Sequence, residues 1–263
     1  MLRRVMALAR EAGEAILAYY EGEIEAQPKS DGSPLTLADR AAHRIISDGL
    51  AALDPAIPVV SEEGLVPEYA VRKDWHRFWL VDPLDGSKEF IKHNGEFTVN
   101  IALIEHAEPV MGVIFAPALD LMYYAAKGGG AWKQEDGASP KRIFSSDPER
   151  TVPLTIVESR SHPSPALEDY LSTLHIARRL EVGSSLKFCW LAEGKADVYP
   201  RLGPTMEWDV AAGDCIYRNA ARKGQNPSPL TYNKPNLRND RFVVGLPRCG
   251  ENSTDVAEAP TEP

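Results

Sequence analysis

Asp82 and Asp85 stand three positions apart in the stretch Trp79-Leu80-Val81-Asp82-Pro83-Leu84-Asp85-Gly86-Ser87, directly after an apolar run, Phe78 to Val81, that reads as a buried strand. Pro83 fixes one backbone angle between the two carboxylates, and Gly86 permits a tight turn just beyond them. Neighbouring carboxylates repel, so a strand that ends in both is costly unless positive charge sits there. Hard divalent cations such as Mg²⁺ take oxygen ligands and meet that need. The same residue types also build plain turns. Two further segments carry acids at element ends. Ser61-Glu62-Glu63 follows a second apolar strand, Ile57 to Val60, and Trp208-Asp209-Val210-Ala211-Ala212-Gly213 opens a predicted helix near Asp209. Taken singly, Glu62 and Glu63 read equally as a solvated strand end, and Asp209 as a helix cap.

The elements that must carry these groups are legible from periodicity. Val5, Leu8, Ala9, Ala12, Ile16 and Tyr20 make one stripe of a helix from Leu2 to Tyr20. A polar loop from Gln27 to Pro34 leads to a second helix, which starts at Thr36 and ends at Asp54-Pro55. Thr36-x-x-Asp39 matches a capping-box variant, an alternative to any chemical role for Asp39. Thr98 to Glu105, Pro109 to Phe115 and Leu121 to Ala126 read as strands of an antiparallel meander. Gly128-Gly129-Gly130 lacks the Lys-Ser/Thr of a phosphate loop and reads as a hairpin tip, and Asp136 to Lys141 reads as a loop.

Beyond Asp147 the pattern alternates. Strands at Val152 to Val157, Arg178 to Val182, Ala196 to Tyr199 and Phe242 to Gly245 are interleaved with helices at Ala166 to Leu174, Ser185 to Glu193 and Asp209 to Asn219. Alternation of this kind predicts a second, α/β unit. The Glu251 to Pro263 tail is acidic, has little to bury and is expected to be disordered.

A chain of 263 residues, 43% hydrophobic and 25% charged, has the composition of a soluble globular protein with a large core. A net charge of −9 argues against a polynucleotide-binding surface. No apolar run approaches a membrane span, and Glu11 and Glu14 make the amphipathic start unlike a signal peptide. Cys189, Cys215 and Cys249 show no Cys-x-x-Cys spacing, which fits a reducing compartment and does not fit zinc. A soluble, unexported protein of the cytoplasm is expected, with peripheral association at the inner membrane left open.

The order Glu-Glu, then Asp-Pro-(Ile/Leu)-Asp-Gly-(Thr/Ser), then Trp-Asp-x-Ala-(Ala/Gly)-Gly resembles the lithium-sensitive, Mg²⁺-dependent phosphatases of the inositol monophosphatase superfamily. Within it, the run from Gly86-Ser87-Lys88-Glu89-Phe90 to Thr98-Val99-Asn100-Ile101-Ala102-Leu103 closely resembles the bacterial 3′(2′),5′-bisphosphate nucleotidase branch. The resemblance runs from the first helix to about Cys215, loosens from Ile216 to Gly250 and does not cover the tail. It implies an α/β (α+β) fold, the layered αβαβα sandwich of the inositol monophosphatase and fructose-1,6-bisphosphatase type. An N-terminal α+β metal-binding half, residues 1–147, would pack on a C-terminal α/β half, residues 148–250, with the active site between them.

Residue by residue, the resemblance implies that Glu62, Asp82 and the Leu84 carbonyl hold a first Mg²⁺, and that Asp82, Asp85 and Asp209 hold a second. Ser87, where the family usually has Thr, would orient the attacking water with Asp39; Ser keeps the hydroxyl without the methyl that restricts its rotamer. Glu63 would stand behind the ligands. The Gly86 and Ser87 amides would face the phosphate. Ser184, Lys187 and Arg201 would contact the substrate's second phosphate, and His162 aligns less securely with a base or phosphate contact. His43, His76, His93, His106 and His175 read as structural. The implied reaction converts adenosine 3′,5′-bisphosphate to AMP and phosphate by two-metal activation of water, in sulfur assimilation. Its partner is a small-molecule nucleotide, with no polynucleotide and no transmembrane segment. An inositol monophosphatase or broader sugar-phosphate phosphatase is the alternative within the class. A non-catalytic binding protein on the same fold is the alternative outside it, disfavoured because all four carboxylates are present. Arg218, Arg222 and Lys223 replace the Gly-rich continuation usual after the Trp-Asp motif.

Overall fold

The structure, a computed structural model, describes residues 1–20, 27–28, 34–35, 37–147, 153–161, 165–223, 225 and 228–245. Helix α1 (Leu2–Tyr20) buries Val5, Leu8, Ala9, Ala12 and Ile16 on one stripe. Strands β1 (Gln27–Pro28) and β2 (Pro34–Leu35) pair antiparallel at the two ends of the stretch expected to be loop. The remainder of that stretch and the cap at Thr36 lie outside the described residues. Helix α2 (Leu37–Leu53) then packs along α1.

A seven-stranded sheet follows in sequence order: β3 (Val59–Ser61), β4 (Arg77–Asp85), β5 (Thr98–Glu105), β6 (Glu108–Ala116), β7 (Leu121–Ala126), β8 (Ala131–Glu135) and β9 (Lys141–Ile143). Short helices α3 (Tyr69–Arg72) and α4 (Ser87–Ile91) interrupt it. Only β3 runs parallel to its neighbour, and the remaining pairs are antiparallel. The expected three-strand meander therefore extends to the edge at β9. The Gly-rich tip lies between β7 and β8, with Gly128 and Gly130 at positive φ.

The second half carries β10 (Leu154–Ser159), α5 (Pro165–Leu171), β11 (Ile176–Val182), α6 (Leu186–Ala192), β12 (Tyr199–Arg201), β13 (Thr205–Met206), α7 (Glu207–Ala220), β14 (Arg238–Asn239) and β15 (Phe242–Val244). β10 and β11 pair in parallel, while β12 pairs with β15 and β13 with β14 antiparallel. The strand expected from Ala196 begins only at Tyr199. Asp197 places its side chain on the Thr155 N–H at 2.8 Å, where a continuing ladder would offer a carbonyl.

These elements stack as an αβαβα sandwich. α1 and α2 cover one face of the seven-stranded sheet, and α7 with α6 covers the other. α6 also packs on β10, and α5 closes the far side around Ile156, Leu167, Leu171 and Val198. The pleat sorts β4 between two cores. Trp79 and Val81 face α1 and α2, whereas Phe78 and Leu80 face α6 and α7. Cys189 and Cys215 are buried free thiols in the second core, and Cys249 lies outside the described residues. The tail expected to be disordered also lies outside them. Among the described residues no helix is long and apolar enough to cross a membrane.

Candidate active site

β4 does not stop at Val81 but runs on through both aspartates. Opposite β5, Asp82 pairs with Asn100 and Asp85 with Thr98, so β4 carries one extra residue between them. Pro83 cannot donate to the ladder, and a bulge there is the physical consequence. It also decides function. Residues three apart on a regular strand point to opposite faces. The extra residue re-aims the second one, and Asp82 and Asp85 both line one cavity. Leu84 goes the other way, into the core beneath α1 and α2, while its N–H donates to Asp82 Oδ1 at 3.2 Å. Gly86 then takes φ +91°, and a Cβ there would meet Glu89 Oε2 and Ser184 Cβ at 3.2 Å.

The other acids arrive from neighbouring elements. Glu62 follows β3, tied to β4 by its N–H on the Val81 carbonyl at 3.1 Å. Asp209 sits in the first turn of α7, which begins earlier than expected with Met206 as its N-cap; Asp209 is therefore not the cap itself, but its Oδ2 accepts from the Met206 N–H at 2.8 Å, the returning half of a capping box. Carboxylate oxygens of Glu62, Asp82 and Asp209 lie within 4.8 Å of one another. Asp85 is outside that trio, its Oδ2 held by Ser184 Oγ at 2.7 Å and Ser185 Oγ at 2.8 Å. Burial, and then the charges of Glu62, Asp85, Asp209 and Asp39, push the Asp82 carboxyl well above its usual range. Burial and the nearby Asp85 and Glu62 do the same to Asp209. Asp39, buried in the first turn of α2, is thus close enough to be felt at Asp82. An all-oxygen donor set in which burial and neighbouring carboxylates raise Asp82 and Asp209 fits a hard divalent cation. Ser87 opens α4 on the cavity wall, whereas Glu63 is not among the lining residues.

The cavity holds about 290 Å³ and has a second, cationic wall. Lys187 on α6 is buried, donates to the Ser184 carbonyl and lies 5.8 Å from the Tyr199 ring centroid. Burial lowers its pKa to about 8, opposed by the charge of Asp85 and assisted by that of Arg201. Arg201 at the end of β12 donates through Nη2 to the Pro204 carbonyl at 3.3 Å, while its buried Nε has no hydrogen-bond partner. Ser184 adopts φ +54° and turns its hydroxyl onto Asp85 and Thr98 rather than toward Lys187.

Ser159, Ser185, Phe188, Tyr199 and Thr205 also line the cavity and were not anticipated. Ser185 adjoins Ser184 and Phe188 adjoins Lys187, and adjacency was their only signal. His162 lies outside the described residues. His43 meets Ser61 Oγ at 2.8 Å and His93 stacks on Tyr20, both away from the cavity lining. The divergent basic segment is anchored. Arg218 pairs with buried Asp214 at 2.9 Å and caps the Leu230 carbonyl, and Arg222 donates to the Ser145 carbonyl.

The sequence model of the inositol monophosphatase family matches residues 1–234. The 3′(2′),5′-bisphosphate nucleotidase CysQ of Salmonella typhimurium is 54% identical over 218 residues, covering 82% of this chain and 86% of that protein. The protein of the same name from Escherichia coli strain K12 is 52% identical over 254 residues, 94% of this chain and 100% of its own length. Among solved structures, CysQ from Bacteroides thetaiotaomicron matches with a TM-score of 0.78 and 42% identity, over 93% of this chain and 96% of that one.

Proposed function

The chain belongs to the metal-dependent inositol monophosphatase family, and on that premise we propose that it is a Mg²⁺-dependent 3′(2′),5′-bisphosphate nucleotidase converting adenosine 3′,5′-bisphosphate to AMP and phosphate. The observation that carries the reading is one cavity with two oppositely charged walls, the acids of β3, β4 and α7 against Lys187 and Arg201. Such a cavity suits a substrate with two phosphates, one at each wall.

Phosphate monoesters hydrolyse extremely slowly unaided, so the site must supply a nucleophile and neutralise charge. Two Mg²⁺ ions held by Glu62, Asp82, Asp85, Asp209 and the Leu84 carbonyl would supply Lewis acidity and acidify water. The protein's own groups do the rest. Asp39 and Ser87 orient the attacking water. The turn at Gly86 and Ser87 brings backbone N–H groups to the phosphate being cleaved. Lys187 and the unpartnered Nε of Arg201 neutralise the phosphate that is retained. The substrate is a small molecule, the setting is sulfur assimilation, and the cytoplasm is the place of action.

Phosphate release from adenosine 3′,5′-bisphosphate, 3′-phosphoadenylyl sulfate and inositol monophosphate, with Mg²⁺ and with excess EDTA, tests the reading. The nucleotide bisphosphates should be turned over fastest, and only with Mg²⁺. Preference for inositol monophosphate would overturn the substrate, and full activity in EDTA would overturn the metals.

A further inference from the structure

Asn100 stands where an apolar strand residue is expected. β5 begins Thr98-Val99-Asn100-Ile101-Ala102-Leu103, and all of these side chains are buried. Asn is a poor strand former, and a buried amide left without partners is costly. Its partners explain its presence. Asn100 Oδ1 accepts from Thr98 Oγ1 at 2.9 Å. Its Nδ2 donates to Ser185 Oγ at 2.8 Å and lies 3.5 Å from Asp85 Oδ2. Ser185 Oγ in turn lies 2.8 Å from Asp85 Oδ2 and 2.7 Å from the Asp209 backbone carbonyl. One amide thus reaches, through one hydroxyl, the bulged end of β4 and the first turn of α7.

A serine hydroxyl has one proton to give. Because Asn100 donates to Ser185, that proton is left for Asp85 or for the Asp209 carbonyl. Ser184, Ser185 and the Asn100 amide all converge on Oδ2 of Asp85. Its other oxygen is left to the cavity that Asp85 lines. Only an amide does this work. It accepts from Thr98 while giving protons to Ser185 and toward Asp85. An aspartate at position 100 would set an anion against Asp85, and an aliphatic side chain would leave Thr98 and Ser185 short of partners.

We propose that Asn100 is a positioning residue for the metal-binding wall: through Ser185 it clamps Oδ2 of Asp85, so that Oδ1 is presented to the cation, and it holds that carboxylate in register with the start of α7. The proposal rests on the metal-dependent reading of the site. Partners behind metal ligands are typically worth about 10–100-fold in metal affinity or activity when removed.

Calorimetric titration of the full chain with Mg²⁺ alone, without substrate, is the test. It compares the unaltered protein with Asn100→Leu, Ser185→Ala and the double variant, and records each thermal melt in EDTA. Asn100→Leu should weaken Mg²⁺ binding about tenfold or more, and Ser185→Ala should do nearly the same. Because the two act in series, the double variant should be little worse than either single one. Unchanged Mg²⁺ affinity in Asn100→Leu, or losses that simply add, would overturn the proposal. A lowered melt in EDTA with unchanged Mg²⁺ affinity would make Asn100 a packing residue and overturn it equally. Should Asn100→Leu fail to melt cooperatively, Ser185→Ala must show the loss by itself, and its failure to do so overturns the chain of contacts. Absence of Mg²⁺ binding in the unaltered protein would instead bring down the metal reading, and this proposal with it.

Discussion

The two walls of the cavity answer to the same physical cause with opposite signs. On the acidic wall, burial comes first among the causes that raise Asp82 and Asp209. On the cationic wall, burial comes first in lowering Lys187 to about 8. Each wall resists its own charge because water has been removed and the opposite charge has not arrived. They differ in construction. The acids come from three elements and crowd one another, and the hydrogen bonds from the Leu84 and Met206 N–H groups leave Asp82 and Asp209 raised all the same. Lys187 is eased by the Ser184 carbonyl and the Tyr199 ring. The acidic wall is therefore expected to be intolerant of change, and the cationic wall to be graded.

Asp82→Asn should break the acidic wall most severely. It removes the carboxylate proposed to be the central ligand while keeping an acceptor for the Leu84 N–H, and kcat/KM should fall by more than about a hundredfold, beyond the loss typical of partners behind the ligands. The metal-free protein should move the opposite way. A carboxyl whose folded pKa is raised above 3.8 contributes stability below that value, and this is lost as pH rises through the elevated one. At pH 8 in EDTA the variant should melt about 2–4 °C higher, the shift expected of roughly 1 kcal/mol in a chain this long. A lower melt would mean that Asp82 is not under strain.

Lys187→Ala should expose the graded wall. Loss of a charge-assisted contact costs roughly 1.5–3 kcal/mol, about tenfold or more in kcat/KM for the bisphosphate, with monophosphate turnover spared. In the unaltered protein, kcat/KM for the bisphosphate should decline as pH rises past about 8, because Lys187 loses its proton there. That decline should be absent from the variant. Equal losses on both substrates would assign Lys187 to the fold rather than to the second phosphate.

Glu63→Gln sharpens the comparison from the quiet end. Glu63 is next to Glu62 in sequence but is not among the cavity-lining residues. Activity should stay within about twofold, the scale of substitutions away from buried features. A loss approaching that of Asp82→Asn would place Glu63 among the ligands.

The long amphipathic helices α1, α2 and α7 were readable because each repeats apolar residues at helical spacing over many turns. Strand β8 and the edge strand β9 were not. Their residues are half exposed and alternate weakly, and pairing with a neighbour rather than local preference makes them strands. The acidic residues were legible individually, from the types Asp-Pro-Leu-Asp-Gly and Trp-Asp and from a family resemblance. That Glu62, Asp82 and Asp209 belong to one site was implied by the resemblance alone and not by any local pattern, and neither pointed to the Ser185 hydroxyl and the Asn100 amide behind Asp85. Those depend on a bulge at Pro83, on the approach of α7 to β4 and on a strand residue meeting the start of α6. By itself the sequence determined which groups are present and which local turns deliver them, because dihedral preference and periodicity act over a few residues. Which of them share one cavity was decided only by tertiary packing, because side-chain direction on a strand reverses with a single inserted residue and contact between distant segments has no local signature.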